Sequence, residues 1–313
     1  MMKKRGFNIL IIIFLSVGAS QAQVDPLFFQ QTHLRNLINP AATGKGGDIN
    51  AALTVRRQQA GFSNVMVTNN AIQANGFVSP LNSGFGMKFV TDKIGPYKTT
   101  NIKLNYAYYV SFEDFAIFSL GMGVGVMSNS YNDRNVHEFY GYEDEDDPLI
   151  VNFENIKQNQ TLPDFDFGFE FNTRNFELGG SLSHITYAQP DQKVIRPMRN
   201  WFAYSRAKLP MNRYWDFIPG VTWHFNRFQT TYEAIAGVRY NNMLFVNAAY
   251  RNPMNIGMTA GITYQGFTLI YSYDIGMNTT YNNGSHEVTI LYKLEMNTSY
   301  IGNRLRFFKW KMF

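Results

Sequence analysis

Asp164-Phe165-Asp166-Phe167-Gly168-Phe169-Glu170-Phe171 decides the fold. In an extended chain successive side chains point to opposite faces, so all four phenylalanines share one face. Asp164, Asp166, Gly168 and Glu170 share the other. A helix would scatter both sets around its axis. One face is therefore made for a greasy surrounding and the other for a polar one. The pattern recurs in both directions along the chain. Ile102, Leu104, Tyr106, Tyr108 and Val110 alternate with Asn101, Lys103, Asn105 and Ala107. Phe118, Leu120, Met122, Val124 and Val126 alternate with Ser119, Gly121, Gly123 and Gly125. The windows 256–264 and 286–294 repeat the rule. Each runs for about nine to eleven residues, the length of a tilted membrane strand. Strands of a soluble sandwich alternate too, but average about five to six residues.

Composition agrees. Of 313 residues, 45% are hydrophobic and 16% aromatic, yet only 16% are charged, well below the roughly 25% usual in soluble domains. Mean hydropathy is nevertheless −0.24. Greasy and polar faces that alternate cancel in such an average. The 27 Phe and 19 Tyr exclude a disordered chain, and the absence of cysteine excludes a disulfide framework and any thiolate site. These facts predict an all-β transmembrane antiparallel β-barrel.

Residues 1–22 read as a secretory signal peptide. Lys3, Lys4 and Arg5 open it, the apolar run Ile9 to Val17 follows, and Ser20-Gln21-Ala22 supplies small residues, placing cleavage after Ala22. The run is shorter than the ~20 residues of a spanning helix. Losing those three positive charges takes the net charge from +5 to +2. No basic stripe with interleaved aromatics remains to suggest a nucleic-acid partner.

The barrel is expected to occupy residues 47–294, in strands 47–57, 64–78, 83–92, 99–110, 115–127, 163–172, 175–185, 201–208, 214–225, 228–239, 243–251, 255–264, 267–275 and 285–294. Fourteen is an even count, as single-chain bacterial barrels have. Taking the N-terminus as periplasmic, the long connections 128–162, 186–200 and 276–284 all fall outside. The inner links are short: 79–82, 111–114, 173–174, 209–213, Asn241-Asn242 and Gln265-Gly266. The last two suit tight hairpins that need positive φ. Short periplasmic turns with longer outer loops are the asymmetry of such barrels, and one missed strand would scramble it.

Two segments lie outside these strands. Residues 23–46 are expected to plug the lumen, cover the periplasmic mouth, or hang as a loose tail. In the tail 295–313, the cluster Arg304 to Phe313 is expected at the membrane interface or as a terminal assembly signal, the latter displacing the last strand.

Catalytic and metal signatures are weak. Glu143-Asp144-Glu145-Asp146-Asp147 offers oxygen ligands without the spacing of a calcium loop and reads as a solvated run. None of His33, His137, His184, His224 and His286 sits in a zinc-protease pattern or near a nucleophile elbow. Ser183 and His184 point to opposite faces of a strand and make no pair. Gly121, Gly123 and Gly125 fall at strand spacing, not in a phosphate loop. No enzyme activity, metal or cofactor is expected. Three readings remain from the residues: a barrel that binds a protein, an outer-membrane channel for small hydrophobic solutes with residues 23–46 as its hatch, or a soluble sandwich that binds glycan or protein.

The opening Asp25-Pro26 with Phe28 and Phe29, then Asn39-Pro40-Ala41 and Gly44, resembles that of PorP/SprF proteins. Arg56 and Gln58, the stretch Gly84 to Asp92 with Gly95, Asn105-Tyr-Ala-Tyr and Ser285-His286-Glu287-Val288 are similar to that family as well. Ala42 and Gln59 stand where the family commonly has aromatics. The resemblance implies an outer-membrane component of the type IX secretion system of Bacteroidota. It implies a secreted cargo as partner, such as a large gliding adhesin with a type B C-terminal domain. It also implies contact with periplasmic subunits linked to peptidoglycan. On the same ground Phe28, Phe29, Asn39, Pro40, Arg56 and Gln58 are the expected partner-binding residues.

Overall fold

The computed structural model describes residues 27–58, 67–95, 97–112, 115–131, 159–186, 198–227, 229–252, 255–276 and 284–296. The expected signal peptide 1–22, His137, the acidic run Glu143 to Asp147 and the cluster Arg304 to Phe313 lie outside the described residues.

Fifteen strands follow in chain order: β1 Ile49–Gln58, β2 Val67–Val78, β3 Ser83–Ile94, β4 Tyr97–Phe112, β5 Ala116–Tyr131, β6 Asn159–Thr173, β7 Phe176–Ser183, β8 Asn200–Ala207, β9 Leu209–Pro210, β10 Trp215–Phe225, β11 Thr230–Tyr240, β12 Leu244–Arg251, β13 Asn255–Tyr264, β14 Phe267–Gly276 and β15 Ser285–Leu294. β9 is a two-residue ladder beside β10; the other fourteen form one antiparallel ring. β15 pairs with β1, from Ile49 opposite Leu294 to Arg57 opposite His286, and closes the sheet. The last strand is therefore 285–294, as its alternation predicts. A closed ring has no edge strand to leave backbone groups unpaired in lipid. Among the described residues no helix is long and apolar enough to cross a membrane.

Alternation sets which face meets lipid. Phe165, Phe167 and Phe169 are exposed, whereas Asp164, Asp166 and Glu170 are buried. Leu104 is 63% exposed and its neighbour Lys103 1%. Aromatic side chains gather at both ends of the outer face. Trp215 packs on Tyr240, and Phe267 on Tyr292, near the short turns; Trp201, Trp223 and Tyr250 stand toward the other end. Such girdles sit at the two membrane interfaces. Leu104→Arg, at the middle of the outer face, should cost ~2–4 kcal/mol. Urea-driven unfolding from lipid vesicles reads this; an unchanged midpoint would contradict a lipid-facing position.

The turns follow their residues. Asn241 and Asn242 both have positive φ, 47° and 54°, and Gln265-Gly266 has 46° and 84°. Both-positive φ is the type I′ turn whose twist matches a hairpin. Several strands run past their expected ends. β4 and β5 pair through sixteen residues each, and β6 begins at Asn159, so the longest connection is shorter than expected. β7 is shorter because His184, at φ 58°, turns out of the strand. The β8–β10 ladder ends at Gly220 and resumes through β9 at Phe217. Pro219 sits in that gap, where its missing N–H costs no ladder bond.

Candidate functional site: a lumen filled by the N-terminal segment

Residues 27–47 fold back inside the ring. Phe28, Phe29, Gln30, Leu34, Asn39, Ala41 and Thr43 are each at most 4% exposed. Two short 3-10 turns shape the segment, Arg35–Leu37 and Pro40–Ala42. Asn39 starts the second: its Oδ1 accepts from the Ala41 N–H at 2.9 Å, and Pro40 follows where no N–H is needed.

At the end of the barrel that carries the long connections, Glu287 of β15 anchors the start. Its carboxylate accepts from the Phe29 N–H at 2.7 Å, the Gln30 N–H at 3.0 Å and Arg56 Nη1 at 3.0 Å. Arg56 also reaches Asp274 at 2.8 Å. Arg251, paired with Glu233, donates to the Leu27 and Phe28 carbonyls at 3.3 and 3.1 Å and lies over the Phe29 ring.

Across the lumen a second group holds the middle. Lys88 Nζ donates to the Leu37 carbonyl at 2.8 Å and to Asp166 at 3.1 Å. Lys103 bridges Asp166 and Asp164 at 2.5 and 2.7 Å. His184 Nδ1 is 2.9 Å from Asp164. Ser183 and His184 are both buried, against the opposite facing expected from a continuous strand, because the positive φ at His184 rotates its ring inward. Asp164, Asp166 and His184 offer ligand atoms within 4.8 Å of one another. Two lysines already balance the two carboxylates, so a dication would meet two ammonium groups there. The cluster is an internal charge lock. Asp166→Ala should leave those ammoniums short of an acceptor and cost ~3–5 kcal/mol, with Asp166→Asn intermediate. Thermal unfolding of the solubilised barrel checks this, and two unchanged midpoints would refute it.

Toward the short turns, Lys45 Nζ lies 2.7 Å from Glu170 and 2.8 Å from Glu177. Arg35 pairs with Glu177, and its guanidinium stacks over Tyr204. Burial lowers Lys45 to about 7, against the raising field of Glu170. Burial, then Arg206, Arg35 and Arg239, hold His33 at about 3, so it is neutral when it stacks on Phe245 and meets Asn247 at 3.0 Å.

The wall is cut to this segment. A Cβ on Gly84 would fall on the Thr43 carbonyl, one on Gly121 on the Ala41 N–H, one on Gly168 on Asn39 Oδ1, and one on Gly257 on the Phe29 ring. The bare inward faces seen in the sequence are thus the seats of particular residues.

The six residues expected to bind a partner are placed as follows. Phe28, Phe29, Asn39 and Pro40 are buried in the lumenal segment. Arg56 is buried on β1 in the anchor with Glu287 and Asp274. Gln58 is half-buried at the end of β1 and donates to Asn69 at 2.7 Å. The structure brings Phe28, Phe29 and Arg56 to one anchor, and sets Asn39 and Pro40 against β5, β6 and Tyr204. Sequence reasoning did not single out Glu287, Asp274, Arg251, Lys88, Lys103, Glu170 or Glu177 as sites. Their signal was available: an ionisable side chain on the inward face of a membrane strand calls for a partner.

A closed fourteen-strand ring with a lipid-compatible outer face, aromatic girdles and a polar interior defines an outer-membrane β-barrel protein. The chain belongs to the family of type IX secretion system membrane proteins PorP/SprF, which matches residues 20–292. That family and fold are those of a secretion-system membrane barrel and no known enzyme class. No curated protein matches the chain. Among solved structures it is similar to a deletion mutant of the monoaromatic hydrocarbon channel TodX, at 9% identity and TM-score 0.50, over 83% of this chain and 94% of that one. A triple mutant of Rhodopseudomonas blastica porin is similar at 8% identity and TM-score 0.35, over 79% and 99%. At such identities the first likeness speaks for the barrel fold alone.

Proposed function

We propose that this barrel serves type IX secretion by binding one exported cargo, a large surface adhesin with a type B C-terminal domain, and helping to export it or hold it at the cell surface. The observation that carries the reading is the filled lumen. A bore tied to its own N-terminal segment from β15 to β6 offers cargo no passage, so the working surfaces are the two mouths and the outer connections. Phe28, Phe29, Asn39, Pro40 and Arg56 contribute by fixing the segment that closes the bore, and Gln58 by holding the end of β1 to Asn69. Cleavage after Ala22 delivers the chain, and peptidoglycan-linked subunits are the partners at the periplasmic mouth. The experiment is affinity isolation of the tagged protein from native outer membranes, alongside a secretion assay in a deletion strain. Co-purification of a type B domain protein that is lost from the surface on deletion is expected. Normal display without the barrel would refute the reading.

A second reading, a channel for small hydrophobic solutes, is favoured by the cavity left between the segment and the β10–β15 wall. Solute uptake by vesicles holding the purified barrel alone would select it.

A further inference from the structure

The outer face is not greasy throughout. Arg57 of β1 pairs with Thr68 of β2, Thr68 with Lys93 of β3, Lys93 with Lys98 of β4, and Lys98 with Ser130 of β5. Their chain neighbours Arg56, Asn69, Asp92 and Asn129 are buried, so this cross-strand row points away from the lumen. Arg57, Lys93 and Lys98 are exposed. The row lies at the end of the barrel that carries the long connections.

Its depth is set by the rows beneath it. Two residues closer to the short turns come Asn70, Thr91, Thr100, Ser128 and Thr161, all polar; the next row is Ile72, Phe89, Ile102 and Val126. Four residues of a strand tilted by ~40° place Lys93 and Lys98 ~10 Å beyond that last apolar row. The headgroup zone adds ~5–8 Å to each side of the hydrocarbon core, and flexible lysine stems reach back into it. On β1, Arg57 stands only two residues beyond Val55.

Lys93 and Lys98 sit directly opposite each other, and like charges so placed destabilise an antiparallel pair unless an anion lies between them. None of the three cationic side chains has an acidic or hydrogen-bonding partner among the described residues. The carboxylates of β1 to β6 are Asp92, Asp164, Asp166 and Glu170, all buried on the lumenal side. The neighbouring connections 59–66 and 95–96 contain no acidic residue. Connection 132–158 does, and its run Glu143 to Asp147 is the competing source of negative charge. The direction of the row favours lipid: side chains that project sideways from the wall at this depth meet headgroups.

We propose that Arg57, Lys93 and Lys98 hold the phosphate of an anionic lipid in the leaflet at the long-connection end, the outer leaflet in barrels of this kind. The phosphate lies between the two lysines, Arg57 contributes its charge from two strands away, and the Thr91 and Thr100 hydroxyls beneath offer hydrogen bonds to the headgroup. The site needs the outer wall and no secretion partner.

The test uses the full mature chain, solubilised and mixed in turn with phosphatidylcholine, phosphatidylglycerol or diphosphoryl lipid A. Native mass spectrometry counts the bound lipid. At least one anionic lipid is expected to bind about tenfold or more tighter than phosphatidylcholine, and the tighter of the two names the source of the phosphate. Lys93→Gln with Lys98→Gln should weaken the anionic lipid by about tenfold and leave phosphatidylcholine unchanged. Arg174→Gln with Arg213→Gln removes as many exposed charges at the opposite end and should change nothing. Heat-modifiable gel migration establishes that each variant is folded, and Lys98→Gln alone decides the matter if the double lysine variant does not fold. No preference for an anionic lipid, undiminished binding to the lysine variant, or an equal loss in the Arg174 and Arg213 variant would each overturn the proposal. So would a preference that emerges only once the five carboxylates of Glu143 to Asp147 are changed to amides, since the row would then belong to that run.

Discussion

Glu287→Ala is expected to free the start of the lumenal segment and to destabilise the barrel by ~3–5 kcal/mol, the loss typical when one partner of a buried charge pair is removed. Three groups lose an acceptor at once. The Phe29 and Gln30 N–H groups point at this carboxylate, and Arg56 keeps only Asp274. In a bore screened from bulk water no solvent replaces what is lost. The effect is divided between two readouts. The thermal midpoint of the solubilised barrel should fall, and residues 27–34 should become open to protease in intact membranes. Glu287→Gln keeps an acceptor for one N–H and loses the charge facing Arg56, so it should lie between. A wild-type midpoint with Glu287→Ala would show that the anchor contributes nothing.

Gly121→Val is expected to act on the segment and spare the ring. Gly121 lies on β5 facing inward, and even its Cβ would land on the backbone between Pro40 and Ala41. Backbone cannot rotate aside as a flexible side chain can, so either the segment leaves or the wall deforms. Overpacking of a core ordinarily costs ~1–3 kcal/mol. Here it adds to the bonds that hold Ala41, from Ser119 Oγ at 2.8 Å and Tyr109 Oη at 3.3 Å. The ring keeps its strand pairs, so the variant should still assemble while passing ions that the wild type holds back. Planar-bilayer conductance reads that directly. Gly220→Ala is the control, since its Cβ would come no closer than 3.4 Å to the Ser205 carbonyl. Equal conductance of Gly121→Val and the wild type would mean that the segment does not seal the bore.

How much of this is written in the chain depends on the range of the contact. Period-two alternation is local, so the windows around Phe167, Leu104, Val124 and Met258 declare both their strands and their outer faces. Turn chemistry is local too, and Asn241-Asn242 and Gln265-Gly266 behave as their residues require. Strand ends are less legible: nothing local marks His184 as the residue that turns inward, and Pro219 signals a break in a ladder without showing that β8, and not β11, is the neighbour released. The interior is least legible. Glu287 meets residues 257 and 258 positions away, and Asn39 meets Tyr204 at a separation of 165. No pattern in a short window can express such pairs. What the sequence does carry is the complement: inward glycines at Gly121 and Gly168, and an Asn-Pro-Ala-Ala stretch small enough to lie against them. Those two features belong to one contact, and only the closed ring brings them together.

Residues 27–47 lie inside the barrel, fixed to both walls. A chain without cysteine allows a clean test. Asn105 donates to Asn36 Oδ1 at 3.0 Å, from β4 to the lumenal segment, while Thr54 meets Thr289 at 2.7 Å across the β1–β15 seam. Cysteine pairs at 36 with 105, and at 54 with 289, should both be joined by a short bridging thiol reagent in native membranes. Joining of the seam pair with no joining of the 36–105 pair would contradict the account, since the barrel would then be closed and its bore not occupied by this segment.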